Sequence, residues 1–250
     1  RNVGEISTAV RYARQEGMEV SVKSGGHSFE VFSSNDGGLV VDLSLMNEVE
    51  WLNDENLRVG PACKLSKLYD ALLPKNRILP TGSCGGVGVG GLTLGGGYGI
   101  FSRQYGLTCD HMTGLTFVDG MGAIHDASKN ADLMWACRGG GNGNFGIAAE
   151  MTFRTHSAPP ALYSHRFKAY QLDPVRAVRL METWFRVAAG LPLSAFSAFV
   201  LNGKTLTILV TDTNGRPPAL KTLASVTDRT FYGSQQKLST ALRRFYGIQK

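Results

Sequence analysis

The sequence predicts an α+β chain in two parts, residues 1–157 and residues 158–250. Three observations point there. Short β-branched runs alternate with helical stretches along the whole chain, so neither element type dominates. Glycine crowds two places in the first part, Thr81 to Gly99 and Arg138 to Gly146. At Ser157-Ala158-Pro159-Pro160 the composition shifts as at a domain boundary, and glycine is sparse beyond it.

In order, Asn2 to Gln15 reads as an amphipathic helix with Val3, Ile6, Val10 and Ala13 on one face. Glu19 to Lys23 is a short strand delivering the loop Ser24-Gly25-Gly26-His27-Ser28. Gly38 to Leu43 and Asn56 to Gly60 are further strands, and Leu65, Leu68, Tyr69 and Leu72 mark a helix over Lys64 to Leu73. Arg77 to Pro80 leads into the glycine-rich stretch. His111 to Val118 and Ala123 to His125 flank Asp119-Gly120-Met121-Gly122, a hairpin signal. Asn130 to Ala136 is a short helix, and Ile147 to Thr155 a strand. In the second part Tyr163 to Tyr170 alternates as a strand does, and Asp173-Pro174 opens a helix running to about Ala189. Ser197 to Leu201 and Thr205 to Thr211 form a hairpin around Asn202-Gly203. This part reads as a sheet with helices on one face, suited to the wall of a substrate pocket.

Composition removes several function classes. The net charge of +6 is spread along the chain with no basic cluster and no interleaved aromatics, which argues against nucleic-acid binding. No run of 18 apolar residues exists, so no membrane span is expected. Cys63, Cys84, Cys109 and Cys137 show no CxxC spacing, which argues against a zinc site. Three of them sit among apolar neighbours as core thiols, leaving Cys84 in the glycine-rich stretch. No signal peptide is visible, and the chain reads as starting inside a domain, so secreted and cytoplasmic locations both stay open. Oligomeric state is equally open.

Ten of the eighteen residues from Gly82 to Gly99 are glycine. Each glycine in an element interior costs about 0.5–1 kcal/mol relative to alanine, so the run needs a reason. The expected reason is close approach of bare backbone to a large, partly anionic ligand, with N–H groups converging on phosphate. Gly86 to Gly91 and Gly141 to Gly146 both fit GxGxxG, which shows how little that pattern discriminates. A dinucleotide site also requires the pattern to open a helix. The glycines at 95, 96, 97 and 99 speak against one.

Four segments together carry a more specific signal: Lys23 to Ser28, Thr81 to Gly99, Tyr105 to Asp110 and Ala131 to Ile147. Their order and spacing resemble the covalent flavoproteins related to vanillyl-alcohol oxidase, in the branch of berberine bridge enzyme and the oligosaccharide oxidases. The resemblance covers residues 1–157. It implies a PCMH-type FAD-binding domain of two small α+β subdomains, followed by an α+β substrate domain that is incomplete here, as is the start of the flavin domain. By the resemblance, His27 is joined to the flavin 8α-methyl carbon and Cys84 to flavin C6, giving bicovalent FAD. A thiol beside converging N–H groups is expected to be a better nucleophile. Ser24, Gly25, Gly26, Ser28, Gly82, Ser83 and Gly88 would face the pyrophosphate. Gly91, Gly97, Gly146 and Ile147 would pass the rest of the cofactor. Val87 occupies the position implicated in oxygen access, and valine there matches the permissive choice. Tyr98 is the candidate catalytic phenol. Leu92 departs from the histidine of many relatives, and the family's usual base lies in a segment outside this sequence.

The implied reaction is oxidation of an alcohol-type substrate, a sugar hemiacetal or an allylic or phenolic alcohol. A hydride passes to flavin N5, and oxygen is then reduced to hydrogen peroxide. A dehydrogenase with another electron acceptor and a non-catalytic flavin-binding protein remain alternatives.

Overall fold

The computed structural model describes residues 1–246. In chain order these hold α1 (Val3–Gln15), β1 (Val20–Lys23), β2 (Leu39–Asp42), β3 (Val49–Trp51), β4 (Asn56–Val59), α2 (Leu65–Leu72) and β5 (Arg77–Ile78). Next come α3 (Val89–Leu94), α4 (Ser102–Tyr105), β6 (Met112–Asp119), β7 (Ile124–Asp126), α5 (Ala131–Ala136), β8 (Gly146–Arg154) and β9 (His156–Ser157). The remainder holds β10 (Ala161–Ala169), α6 (Pro174–Ala189), β11 (Ala195–Asn202), β12 (Thr205–Asp212), α7 (Leu220–Val226), β13 (Arg229–Tyr232), β14 (Gln236–Lys237) and α8 (Leu238–Phe245). The class is α+β.

Two compact units result. Among the described residues, the first is Arg1–Gly99 with Gly106–Ala158 and residues 242–246; the second is Ile100–Tyr105 with Pro159–Ala241. Two short segments therefore sit in the unit that their position in the chain does not suggest. The last four residues of the expected second domain lie outside the described residues.

In the first unit an antiparallel sheet runs β3-β4-β8-β6-β7, and β1 pairs with β2 in parallel. Helix α1 begins at Asn2, whose side chain accepts from Glu5 N at 3.0 Å, as an N-cap does. Its apolar stripe (Ile6, Val10) joins Val41 of β2, the following Leu43, and Val118, Ile147 and Ala149 of the large sheet in one buried cluster. That packing brings the loop after Lys23 and the start of β8 to the wall of one cavity. The Asp119–Gly122 turn forms as its residues dictate. Gly122 takes φ +76, and Asp119 Oδ1 accepts from Met121 N and Ala123 N at 2.8 and 2.9 Å.

The second unit is a sheet ordered β11-β12-β10-β13, with β14 also on β10. Alternate residues of β12 (Leu206, Ile208, Val210) are buried with Leu180 and Val187 of α6 and Leu220 and Leu223 of α7. Both helices thus cover one face of the sheet. Asp173 caps α6 by accepting from Arg176 N at 2.8 Å, and Gly203 (φ +56) closes the β11–β12 hairpin.

One expectation needs correction. The glycine-rich stretch does open a helix, α3, with Gly90 and Gly91 inside it. Packing overrides propensity there: a Cβ on Gly90 would stand 2.9 Å from Pro61 Cβ, and Gly90 N donates to Pro61 O at 2.8 Å. Topology is what excludes a dinucleotide fold. The strand before α3 is the two-residue β5, which pairs antiparallel with β9, so no parallel β-α-β unit surrounds the glycines.

Candidate functional site

A cavity of about 1120 Å³ lies wholly within the first unit. Besides residues of α1 and β1, Leu43 and Pro61, its wall draws on four glycine-bearing segments: the loop after β1, residues 87–94, the β6–β7 turn, and the second glycine cluster running into β8. Of the expected site residues, Ser24, Gly25, Gly26, His27, Ser28, Val87, Gly88, Gly91, Gly146 and Ile147 line it. Gly82, Ser83, Cys84, Gly97 and Tyr98 lie outside that lining.

The first two segments touch backbone to backbone. A Cβ on Gly25 would overlap Gly88 N and stand 2.9 Å from Gly88 Cα, while a Cβ on Gly88 would stand 2.5 Å from Gly25 N. Ser24 Oγ donates to Pro61 O at 2.6 Å, and Val89 N donates to Cys63 O at 2.9 Å, so both loops are pinned to the same short segment. His27 projects from this junction and is exposed, with the Phe29 ring edge-on at 6.1 Å between centroids. The Gly25-Gly26 pair leaves it uncovered.

The second glycine cluster is tied to α3 by Gly141 N, which donates to Leu94 O at 3.1 Å. The Asn142 side chain lies beside Gly91 and Gly95 and joins the cavity wall. Gly146 (φ +145) abuts β6, where a Cβ would stand 2.7 Å from the Phe117 ring.

Outside the lining, glycine serves internal packing. A Cβ on Gly82 would stand 3.0 Å from a Leu92 methyl, and one on Gly97 (φ +80) 2.6 Å from Thr108 Cβ. Cys84 is the exposed cysteine, whereas Cys63, Cys109 and Cys137 are buried and all four are free. Burial pushes the Cys63 thiol up to about 12 and raises Cys109 and Cys137 too. Tyr98 is 60% exposed. Asp110, in the Tyr105 to Asp110 motif, caps local structure by accepting from Leu107 N at 2.7 Å.

The sequence reading missed Asp119 and Gly120, which line the cavity. A hydrogen bond from His125 Nε2 to Asp119 Oδ2 at 2.7 Å, then the turn N–H groups, hold this carboxyl below the ordinary carboxylate range. Asp-Gly in a hairpin signals only a turn; its place in the wall depends on α1, from which Ser7 Oγ donates to Gly122 O at 2.6 Å. Phe29, Phe32, Asn142, Asn144 and Phe145 were also missed. They supply the aromatic and amide surface that a large ligand with apolar and polar parts requires. Among the described residues no group of three or more metal-ligating side chains stands together, and no helix is long and apolar enough to cross a membrane.

Residues 1–128, which include three of the four wall segments, match the FAD binding domain family. The chain belongs to that family. The chitooligosaccharide oxidase of Gibberella zeae is 40% identical to it over 162 residues, covering 63% of this chain and 33% of that protein. Berberine bridge enzyme-like 12 of Arabidopsis thaliana is 33% identical over 208 residues, covering 80% of this chain and 39% of that one. A solved chitooligosaccharide oxidase matches with a TM-score of 0.87 and 27% identity, covering 100% of this chain and 55% of that one. The chain therefore spans roughly a third of the length of the curated relatives it matches and about half of that solved structure. Its FAD-binding domain falls in the oligosaccharide-oxidase and berberine-bridge-enzyme-like branch that the four motifs indicated.

The cavity residues fit this cofactor. Gly25 and Gly88 meet backbone to backbone where any Cβ would clash, which leaves the wall free of side chains at that point, and Ser24 and Ser28 add hydroxyls to the same wall for a polar diphosphate. Val87, Leu92, Phe29 and Phe145 offer apolar surface for the ring systems.

Proposed function

We propose that this FAD-binding domain belongs to an oxidase of alcohol-type substrates, a sugar hemiacetal or an allylic or phenolic alcohol, with oxygen as acceptor and hydrogen peroxide as product. The observation that carries the reading is the cavity itself. It collects an uncovered histidine, a side-chain-free junction and Val87 in one wall, in a family whose relatives include a chitooligosaccharide oxidase.

Bound FAD supplies the two-electron chemistry, accepting from the substrate carbon and delivering to oxygen. The chain's own residues hold and expose it. Ser24, Gly25, Gly26, Ser28 and Gly88 seat the diphosphate. His27 and Cys84 are the two covalent attachment points, each exposed and each on a loop stripped of covering side chains. Val87, half-buried in the cavity wall, leaves a small side chain where oxygen approaches. Tyr98 presents an exposed phenol to orient the substrate hydroxyl by hydrogen bonding.

Acid precipitation of the purified holoenzyme tests attachment. A yellow pellet over a colourless supernatant is expected, and only His27→Ala combined with Cys84→Ala releases all the flavin. Flavin wholly in the wild-type supernatant overturns covalent attachment. Turnover of an oligosaccharide and alcohol panel in air, with peroxide read by a coupled peroxidase, tests the oxidase. Flavin bleaching by substrate without peroxide points instead to a dehydrogenase, and no bleaching with any substrate points to a non-catalytic flavin-binding protein.

A further inference from the structure

The end of α8 returns to the first unit and packs against the loop that carries Cys84. Arg243 Nη1 lies 3.1 Å from Asp70 Oδ1 on α2. Tyr246, 3% exposed, stacks its ring on Tyr69 at 4.1 Å between centroids, and its hydroxyl is 3.2 Å from Thr81 Oγ1. Its carbonyl fills the space beside Gly85: a Cβ there would overlap Tyr246 O and stand 3.0 Å from the carbonyl carbon. The same loop is held from the other side by the first turn of α2, where Ser66 N donates to Gly85 O and Leu65 N to Val87 O, both at 3.0 Å. Tyr69 closes the arrangement by donating its hydroxyl to Leu79 O at 2.6 Å.

Tyr246 therefore touches the loop at Thr81 and at Gly85, three residues before and one residue after Cys84. Between those points the Cys84 side chain is exposed, and its carbonyl accepts from Val87 N at 3.2 Å. Two contacts straddling one residue leave its Cα little freedom. We infer that Tyr246 is a positioning residue for the Cys84 thiol, setting where Sγ stands by clamping Thr81 and Gly85. That Sγ carries flavin rests on the proposed function; where Sγ stands does not.

The test uses holoenzyme in a His27→Ala background, where Cys84 is the remaining attachment point, and reads the flavin fraction that survives acid. Tyr246→Ala removes the ring and hydroxyl, and Gly85→Ala pushes against the carbonyl from the loop side. Each is expected to slow cysteine attachment by about tenfold or more, because ångström-scale misplacement of a reacting atom has effects of that size. Tyr246→Phe, which keeps the stack and the carbonyl but loses the Thr81 contact, is expected to fall between the parent and Tyr246→Ala, and to match Thr81→Val. If His27→Ala alone releases all flavin, the covalent reading fails but the positioning claim is still tested. The free Cys84 thiol is then alkylated in each holoenzyme, and the rate serves as readout because the other three cysteines are buried. Should Tyr246→Ala fail to fold, Gly85→Ala and Thr81→Val carry the test. Folded variants with lowered melting temperatures and a cysteine readout within about twofold of the parent would overturn the inference and leave Tyr246 a packing residue.

Discussion

Gly25→Ala tests the junction on which the cavity depends. The added Cβ meets Gly88 N, with Gly88 Cα at 2.9 Å and the Val87 carbonyl carbon at 3.2 Å, all of it backbone with no rotamer to yield. Ordinary carbon–carbon contact is about 3.5–4.0 Å, so the two segments have to part by roughly 1 Å. They are not free to do so, because Ser24 Oγ holds Pro61 O at 2.6 Å and Gly90 N holds the same carbonyl at 2.8 Å. Overpacking of this kind costs about 1–3 kcal/mol, and the restricted unfolded chain returns about 0.4–1 kcal/mol, so destabilisation wins. In a chain of this size that lowers the melting temperature by up to about 10 °C. Flavin content per protein is expected to fall in step, since the parted loops are those that seat the cofactor. Gly86→Ala is the control: nothing lies within 4 Å of its Cβ, so it is expected to melt at or slightly above the parent temperature with full flavin content. Differential scanning fluorimetry and the flavin-to-protein absorbance ratio read both variants. If Gly25→Ala matches Gly86→Ala in both, the junction is not a tight cradle and the reasoning is wrong.

Three further predictions follow from the same geometry. Val87→Leu enlarges a side chain in the cavity wall and is expected to cut peroxide formation while substrate still bleaches the flavin; unchanged peroxide yield would remove Val87 from the oxygen path. Alkylation of the native protein up to about pH 9, read by peptide mass spectrometry, is expected to leave Cys63, Cys109 and Cys137 unlabelled, because burial raises all three thiols; native label on Cys63 refutes this. His156 Nε2 lies 3.1 Å from His111 Nδ1. Burial first, then the charges of His111, Arg154 and Arg77 against that of Glu55, hold His156 below the ordinary histidine value. The unfolded chain takes up this proton near pH 6.5 and the folded one only lower, so the contribution is full above about pH 6.5 and lost as pH falls below it. The melting temperature of His156→Gln is therefore expected to decline less between about pH 7 and 5, and a slope equal to the parent's counts against this account.

Local signals in the sequence were sufficient wherever the cause of structure is local. Asn2 and Asp173-Pro174 start their helices because a side-chain acceptor and a fixed φ act within three residues. The Asp119 and Asn202-Gly203 turns form because their residues tolerate the required backbone. Helix α3 was not legible, since the glycines at 95, 96, 97 and 99 spoke against a helix that in fact ends at Leu94, and the contact that compensates for Gly90 inside it comes from Pro61. Nor was the placement of Asp119 and Asn142 in the cavity wall, which depends on α1 and α3 packing from elsewhere. The exchange of Ile100–Tyr105 and the segment from Leu242 between units has no compositional mark at all.

By itself the sequence determined the α+β class, the hairpins and the ordered motifs that mark an FAD-binding domain, because periodicity, turn chemistry and motif spacing are properties of contiguous residues. Only the tertiary structure decided what each glycine is for. Gly88 and Gly85 read identically in the chain, yet one meets the Ser24 hydroxyl and the Gly25 backbone at the cavity wall and the other accommodates the carbonyl of Tyr246, far away in sequence. A missing Cβ is a space, and what fills a space is set by atoms that the local sequence does not contain.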